Sequence, residues 1–130
     1  MHLQSGSAAI DLGPRPSSAA QARSFLRSRL AALAVPPPLL EDAVLLTSEL
    51  VANAVLHART DIEIRLDSTA RRVRVQVHDG NSRLPVIATV PADATSGRGL
   101  LLVRELASDW GIEPSPSGKA VWFELHCTTG

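Results

Sequence analysis

Residues 49–57 read Glu-Leu-Val-Ala-Asn-Ala-Val-Leu-His, a mainly apolar stretch with a polar side chain at every fourth position. At about 100° of rotation per residue, Glu49, Asn53 and His57 drift by only about 40° per step and share one stripe of a helix. The apolar stripe beside it, which we expect to face a core, consists of Leu46, Leu50 and Ala54. Burying an unpartnered polar group costs about 2 kcal/mol or more. A polar ligand is therefore expected along this stripe, and Mg²⁺ with phosphate oxygens would suit it.

Two helices are predicted in the first half of the chain. The first begins at Ser17 or Ser18, either of which can cap it, and runs to about Val35. The prolines at 36–38 end it, because each ring removes a donor and restricts the preceding residue. The second helix covers about residues 39–58 and carries the polar stripe. The apolar stripe predicted for the first helix consists of Phe25, Leu26, Leu30 and Leu33.

Alternating apolar residues predict strands in the second half. Residues 62–66 and 73–77 alternate in this way, and a short turn at 68–71 joins them into a hairpin. The remaining predicted elements are a helix at 100–107, a strand at 110–113, a turn at 115–118 and a strand at 120–126. This order predicts an α/β (α+β) two-layer sandwich, with helices on one face of a mixed, mainly antiparallel sheet.

The composition indicates one globular domain. The 130 residues are 45% hydrophobic and 20% charged, which is typical of a chain that buries a single core. Thirteen basic and thirteen acidic side chains cancel, so no overall field draws the chain to nucleic acid or to an anionic membrane. The single cysteine, Cys127, excludes an internal disulfide and a zinc site built from cysteines, and it fits a reducing cytoplasm.

Membrane and export segments are not expected. No apolar run approaches the roughly 18 residues of a membrane span, and the first residues lack the pattern of a secretory signal. We expect residues 1–16 to form a tail with a short edge strand at 8–12, and residues 17–127 to form the domain.

Three motifs, in this order and spacing, resemble the nucleotide-binding boxes of the GHKL superfamily, which includes gyrase-type ATPases, histidine kinases and anti-sigma-factor serine kinases. Residues 49–57 resemble the N box, 78–80 (His-Asp-Gly) the first glycine box, and 96–100 (Ser-Gly-Arg-Gly-Leu) the second. Residues 118–123 resemble the small box of the last hairpin. The likeness covers about residues 40–125 and is greatest to the compact anti-sigma-factor serine/threonine kinase branch and its stand-alone relatives. It implies a Bergerat-type ATP-binding fold.

The resemblance implies ATP and Mg²⁺ as cofactors. In the family, the asparagine at the position of Asn53 coordinates Mg²⁺ through its amide oxygen, which suits a hard cation. The glutamate at the position of Glu49 orients or deprotonates an attacking hydroxyl. The plainer alternatives are a solvated Glu49 and an Asn53 amide bonded to the main chain. His57 has two open roles, because it can approach a phosphate or satisfy the last carbonyls of the helix.

Asp79 matches the family aspartate that accepts a hydrogen bond from the adenine amino group. A carboxylate is acceptor-only and so selects adenine over guanine, which has a carbonyl there; an ordinary Asp-Gly turn is the alternative. Gly80 would let the main chain approach the base. The family motif usually has another glycine two residues on, where this chain has Ser82. Lys119 follows a turn glycine, and it either reaches the nucleotide or is solvated.

The second glycine box implies phosphate binding. Gly97, Arg98, Gly99 and Leu100 would offer main-chain N–H groups at a helix N-terminus, and Arg98 adds a charge; a flexible loop is the alternative. Residues 81–99 lack periodicity, and such long connections are most often functional, so we expect a mobile lid over the phosphates.

Trp110 and Trp122 are predicted to be core residues rather than residues that stack on a ligand.

Two functions of different classes follow. The first is an ATP-dependent serine/threonine protein kinase that acts as an anti-sigma factor, binds a sigma factor and phosphorylates an anti-sigma-factor antagonist; relatives commonly form homodimers. The second is a non-catalytic adenine-nucleotide-binding regulatory module that acts by partner binding. Glu49 favours the kinase, whereas Ser82 favours the module. A structural α/β domain with accidental motifs is a third possibility. A sensor histidine kinase is disfavoured, because we expect 130 residues to leave no room for a phosphoacceptor helical hairpin.

Overall fold

The computed structural model describes residues 5–82 and 98–127. For residues 98 and 99 it describes the main chain alone. Its elements are β1 (Ser5–Leu12), α1 (Ser18–Ala32), α2 (Pro37–Asn53), a π-helical turn (Ala54–Ala58), β2 (Ile62–Thr69), β3 (Arg72–Asp79), α3 (Arg98–Leu106), β4 (Asp109–Ser115) and β5 (Gly118–His126). The strands form one sheet in the order β1-β2-β3-β5-β4, and these pairings are all antiparallel. Three helices pack against the sheet, which confirms the predicted two-layer sandwich.

Helix α1 ends before the prolines that were predicted to end it. It stops at Ala32, and Ala34 adopts a left-handed φ of 58° that turns the chain. Pro37 instead begins α2, where its missing N–H costs nothing because the first N–H groups of a helix have no helical acceptor. Neither predicted serine caps α1 through its side chain, and the hydroxyl of Ser18 donates to the carbonyl of Gly13.

Helix α2, which carries the polar stripe, ends in a wider turn. It passes at Asn53 into the π-helical turn, in which the N–H of Arg59 donates to the carbonyl of Ala54 over 3.1 Å. Arg59 then leaves the helix with a left-handed φ of 57°. The predicted helix at 39–58 is therefore two kinds of helix joined end to end. Single π-helical turns are frequent at functional sites, and this one directly follows a predicted ligand-binding residue.

One face of the sheet packs under the helices and forms the core. The predicted β2–β3 hairpin is confirmed, and it pairs from Ile62 opposite Asp79 to Ser68 opposite Val73. Because β2 runs to Thr69 and β3 begins at Arg72, the turn is shorter than the predicted 68–71. The buried strand side chains on this face include Ile62, Ile64, Leu66, Val73, Val75, Val77, Phe123 and Leu125. The predicted apolar stripe of the second helix is also confirmed, because Leu46, Leu50 and Ala54 are all buried.

Trp122 lies on the opposite, open face of the sheet, so its prediction as a core residue is wrong. Along β5 it alternates with the fully buried Phe123. The guanidinium carbon of Arg74 lies 4.3 Å from the centroid of its ring. The ring also covers Gly111 of β4, where a Cβ atom would lie 2.7 Å from its Nε1 atom. Trp110, in contrast, packs against the core as predicted.

The strands around the last turn are longer than predicted. Strand β4 continues to Ser115, and β5 already begins at Gly118, so the turn contains only residues 116–117. Strand β1 likewise begins at Ser5, ahead of the edge strand predicted at 8–12. Because β5 starts early, Gly118 and Lys119 become strand residues, and Lys119 lies in register with the end of β3.

Candidate functional site

Asp79 and Lys119 form a buried ion pair where β3 and β5 lie side by side. The two residues are directly opposite in register, and the Nζ atom of Lys119 lies 3.0 Å from Oδ1 of Asp79. Only 5% of the Asp79 side chain and 8% of the Lys119 side chain is exposed. They continue the alternation of Val77 and Val121, so both side chains lie on the helix-covered face. The alternative of a solvated lysine is therefore wrong.

The turn after β3 is held in place by three further hydrogen bonds. The N–H of Asn81 donates to Oδ1 of Asp79 over 2.9 Å, which closes an Asx turn. Lys119 donates to the carbonyl of Asn81 over 3.0 Å. The N–H of Gly80 donates to Oγ1 of Thr60 over 2.8 Å. Since Thr60 follows the π-helical turn, this last bond ties the end of the helical segment to the turn after Asp79.

Three residues help to hold this turn in ways that were not predicted from the sequence. Thr60 belongs to none of the recognised motifs, and the main chain of Asn81 is bonded whatever its side chain. Gly118 is needed for space, because a Cβ atom there would lie 1.9 Å from the carbonyl oxygen of Asp79. The Ser-Pro-Ser-Gly sequence indicates only a turn, and the register that brings Gly118 against Asp79 is a tertiary feature.

The polar residues of α2 lie near its C-terminal end. Asn53 is the last residue of the α-helix, Glu49 lies one turn earlier, and both are half-buried. His57 lies in the π-helical turn with an exposed side chain. Helix α2 packs on both β3 and β5, so this polar segment lies on the same side of the sheet as the Asp79–Lys119 pair.

The second glycine box lies only partly within the described residues. Gly97 and most of the predicted lid at 81–99 lie outside them. Helix α3 begins at Arg98, so Arg98 and Gly99 form its first turn rather than the loop before it. The side chain of Leu100 is buried in the hydrophobic core, which leaves its main-chain N–H as the group that a ligand could reach. The N–H groups of a first helical turn have no helical acceptor.

The oxygen-bearing side chains near the end of α2 suit a metal ion that is bound mainly by phosphate and water. Residues 5–82 and 98–127 contain no group of three or more His, Cys, Asp or Glu side chains that could hold a metal ion. Mg²⁺ rarely uses such a cage, and it is usually bound by one or two protein oxygens together with phosphates and water. The half-buried amide of Asn53 could supply one such oxygen, so the residue type fits this ion.

His78 neighbours Asp79 in sequence but lies on the open face of the sheet. Its Nε2 atom is 3.0 Å from Oε1 of Gln76. Partial burial lowers the pKa of His78 below its ordinary value, and the positive charge of Arg65 lowers it further. Folding therefore disfavours the protonated imidazole of His78 relative to the unfolded chain.

Together these features define an α/β sandwich with a buried Asp79–Lys119 pair between β3 and β5 and a polar segment at the end of α2 on the same side of the sheet. Residues 12–125 match the sequence profile of the family described as histidine kinase-like ATPase domain. The match covers most of the chain, and the protein belongs to this family. Membership implies ATP binding.

A solved structure has the same fold. The crystal structure of the RsbU and RsbW domains of Rv1364c from Mycobacterium tuberculosis is similar over 93% of this chain, with a TM-score of 0.72 and 22% sequence identity. This chain spans 32% of that chain. Among proteins with curated descriptions, none matches the sequence. In the part of the chain that the structure describes, no helix has the length and apolarity needed to cross a membrane.

Proposed function

We propose that this protein is an ATP-dependent serine/threonine protein kinase that acts as an anti-sigma factor. Membership of the histidine kinase-like ATPase family supports the nucleotide. The observation that carries the kinase activity is the pair of Glu49 and Asn53, which are half-buried one turn apart at the end of α2. A carboxylate that accepts the proton of a hydroxyl, together with a ligand for Mg²⁺, would support phosphoryl transfer to that hydroxyl.

The residues would divide the work as follows. Asp79 accepts a hydrogen bond from the adenine amino group, and Gly80 lets the main chain lie close to the base. Asn53 would hold Mg²⁺, which would neutralise phosphate charge. Glu49 orients the attacking hydroxyl and accepts its proton.

The phosphates would be bound at the other end of the site. The main-chain N–H groups of Gly97, Arg98, Gly99 and Leu100 would bind them at the start of α3, where the helix dipole favours negative charge. His57, exposed on the π-helical turn, is available to a phosphate.

The protein partners in this proposal are a sigma factor and an anti-sigma-factor antagonist, which supplies the serine or threonine hydroxyl. The fold shared with a structure that contains an RsbW domain supports this choice. A homodimer is the proposed assembly.

A non-catalytic adenine-nucleotide-binding module is the second candidate, and a specific departure favours it. Ser82 stands where the family motif usually has a glycine. A side chain there restricts how closely the main chain can approach the base. In such a module the bound nucleotide would change the affinity for a partner, and its γ-phosphate would be neither hydrolysed nor transferred.

Incubation with γ-labelled ATP, Mg²⁺ and purified candidate antagonists tests both functions. Labelled phosphoserine or phosphothreonine on an antagonist, absent when EDTA is added, supports the kinase. ATP binding by calorimetry without transfer to any antagonist supports the module. A protein that binds neither ATP nor ADP would contradict both.

A further inference from the structure

Lys119 contacts the carboxylate that is proposed to read the base, and it does so from inside the protein. We propose that Lys119 is a positioning residue that makes the site selective for adenine, by fixing the orientation of the Asp79 carboxylate through a single oxygen. This inference rests on the proposed ATP binding at Asp79. It assigns to Lys119 a role toward Asp79 rather than a direct contact with the nucleotide.

The hydrogen bonds around Asp79 fix the orientation of its carboxylate. Lys119 and the N–H of Asn81 both donate to Oδ1, over 3.0 and 2.9 Å. Oδ2 accepts from neither of them. Lys119 also donates to the carbonyl of Asn81 over 3.0 Å, so the ammonium and the turn hold each other. Two donors on one oxygen prevent the carboxylate from rotating, and they keep the two oxygens distinct.

A buried ion pair of this kind is poorly explained by stability. Removing both charges from water costs several kcal/mol per ion in real proteins, and apolar replacements of such pairs are often neutral or stabilising. An ion pair that is 5% and 8% exposed at the end of two strands therefore calls for a role other than holding the strands together.

The type of cation matters to this role. Lys119 is the only lysine among the thirteen basic residues of the chain. Arginine presents a planar fork that engages both oxygens of a carboxylate, whereas the lysine ammonium acts as a point donor. Lysine can therefore hold Asp79 through Oδ1 without binding Oδ2 as well.

The charge of Asp79 is what distinguishes the bases. An ionised carboxylate only accepts hydrogen bonds, so it pairs with the adenine amino group and disfavours the carbonyl that hypoxanthine has at the same ring position. Without Lys119, Oδ1 of Asp79 loses one of its two donors. The carboxylate can then turn away from the adenine amino group, and the preference for adenine falls.

The test compares ATP with inosine triphosphate, which replaces the adenine amino group by a carbonyl. Calorimetry is carried out on the full chain as wild type and as Lys119→Met, with Arg71→Met as a matched control at an exposed position in the β2–β3 turn. We expect Lys119→Met to lower the preference for ATP about tenfold or more, and the control to keep it. In an Asp79→Asn background, Lys119→Met should lower the preference no further, because the two residues act as one unit.

Three results separate this inference from its alternatives. If Lys119→Met is folded and keeps the wild-type preference, or loses affinity for both nucleotides equally, Lys119 is only structural and the inference is wrong. If the wild type binds neither nucleotide, the proposed function fails before the inference is tested. Circular dichroism checks folding. Lys119→Gln replaces the Met variant if that variant is unfolded, and the same loss of preference is expected because the ammonium that holds Oδ1 is gone.

Discussion

The main chain at Gly118 lies so close to Asp79 that a Cβ atom at position 118 would stand 1.9 Å from the Asp79 carbonyl oxygen. That oxygen belongs to the main chain and cannot move aside without shifting β3. We therefore expect Gly118→Ala to lower the free energy of unfolding by about 2 kcal/mol or more, as overpacking commonly does. Urea unfolding measures this. Gly13→Ala is the matched control, because its Cβ would meet only the flexible side chain of Arg15, at 3.4 Å.

Gly118→Ala should also weaken ATP binding under conditions in which the variant is still folded, since the shift falls on the main chain of Asp79. If Gly118→Ala is as stable as wild type, β3 and β5 can move apart easily at this point, and lack of space does not explain the glycine at position 118.

Asp79→Asn is expected to weaken ATP binding about tenfold or more, the usual scale for a hydrogen bond to a charged group. The amide presents a donor as well as an acceptor. The substitution also leaves the buried ammonium of Lys119 without its counter-charge, which lowers stability, so binding is compared under conditions in which circular dichroism shows the variant folded. Calorimetry with ATP measures the effect. Asp11→Asn, on the exposed side of the edge strand, should bind like wild type. Equal affinity in Asp79→Asn and wild type would show that Asp79 does not read the base.

Much of the fold can be predicted from the sequence because burial imposes simple periods on it. The alternation at 62–66 and 73–77 predicts β2 and β3 together with their pairing, and the stripe of Leu46, Leu50 and Ala54 predicts the buried face of α2. The same logic misplaces Trp122, because an aromatic residue also suits the open face when a glycine and an arginine lie beside it.

The site was less predictable, because its contacts join residues distant in sequence. The Asp-Gly turn and the resemblance together single out Asp79, but the ion pair with Lys119 spans forty positions and depends on the exact register of β5. A two-residue turn sets that register, and the Ser-Pro-Ser-Gly sequence does not define its length. The hydrogen bond from Gly80 to Thr60 depends on the π-helical turn, which the helical period does not predict.

His78 should make the stability of the protein depend on pH. Its pKa in the folded protein lies below the ordinary value of 6.5, because of partial burial and the charge of Arg65. The unfolded chain therefore binds more protons, so stability is full above about pH 6.5 and falls as the pH drops through the folded pKa. Urea unfolding at about pH 7.5 and about pH 5.5 should show a smaller loss for His78→Gln than for wild type. Equal losses would contradict this role.

Asn53→Ala is expected to lower the Mg²⁺-dependent part of the affinity for ATP. The alanine removes the amide oxygen that is proposed to bind the ion, whereas contacts of the adenine with Asp79 remain. Titration with ATP, with and without Mg²⁺, should show that the metal clearly raises the affinity for ATP in wild type and raises it little in the variant. Ser48→Ala, five residues earlier on the same helix and half-buried, is the control. A variant that keeps the full metal dependence would place the magnesium ligand elsewhere.

Glu49→Gln should separate binding from transfer. The glutamine keeps the size of the side chain and its place on α2 but loses the negative charge and the basicity, so ATP affinity should stay close to wild type. A general base contributes roughly 10²- to 10⁴-fold to the rate, so phosphotransfer to the antagonist should fall by about that factor. Glu41→Gln, an exposed position on the same helix, should transfer phosphate at the wild-type rate. If Glu49→Gln also does so, Glu49 is not the base, and the hydroxyl must be activated by another group. If wild type itself binds ATP without transferring phosphate to any antagonist, the regulatory module is the better account of the same site.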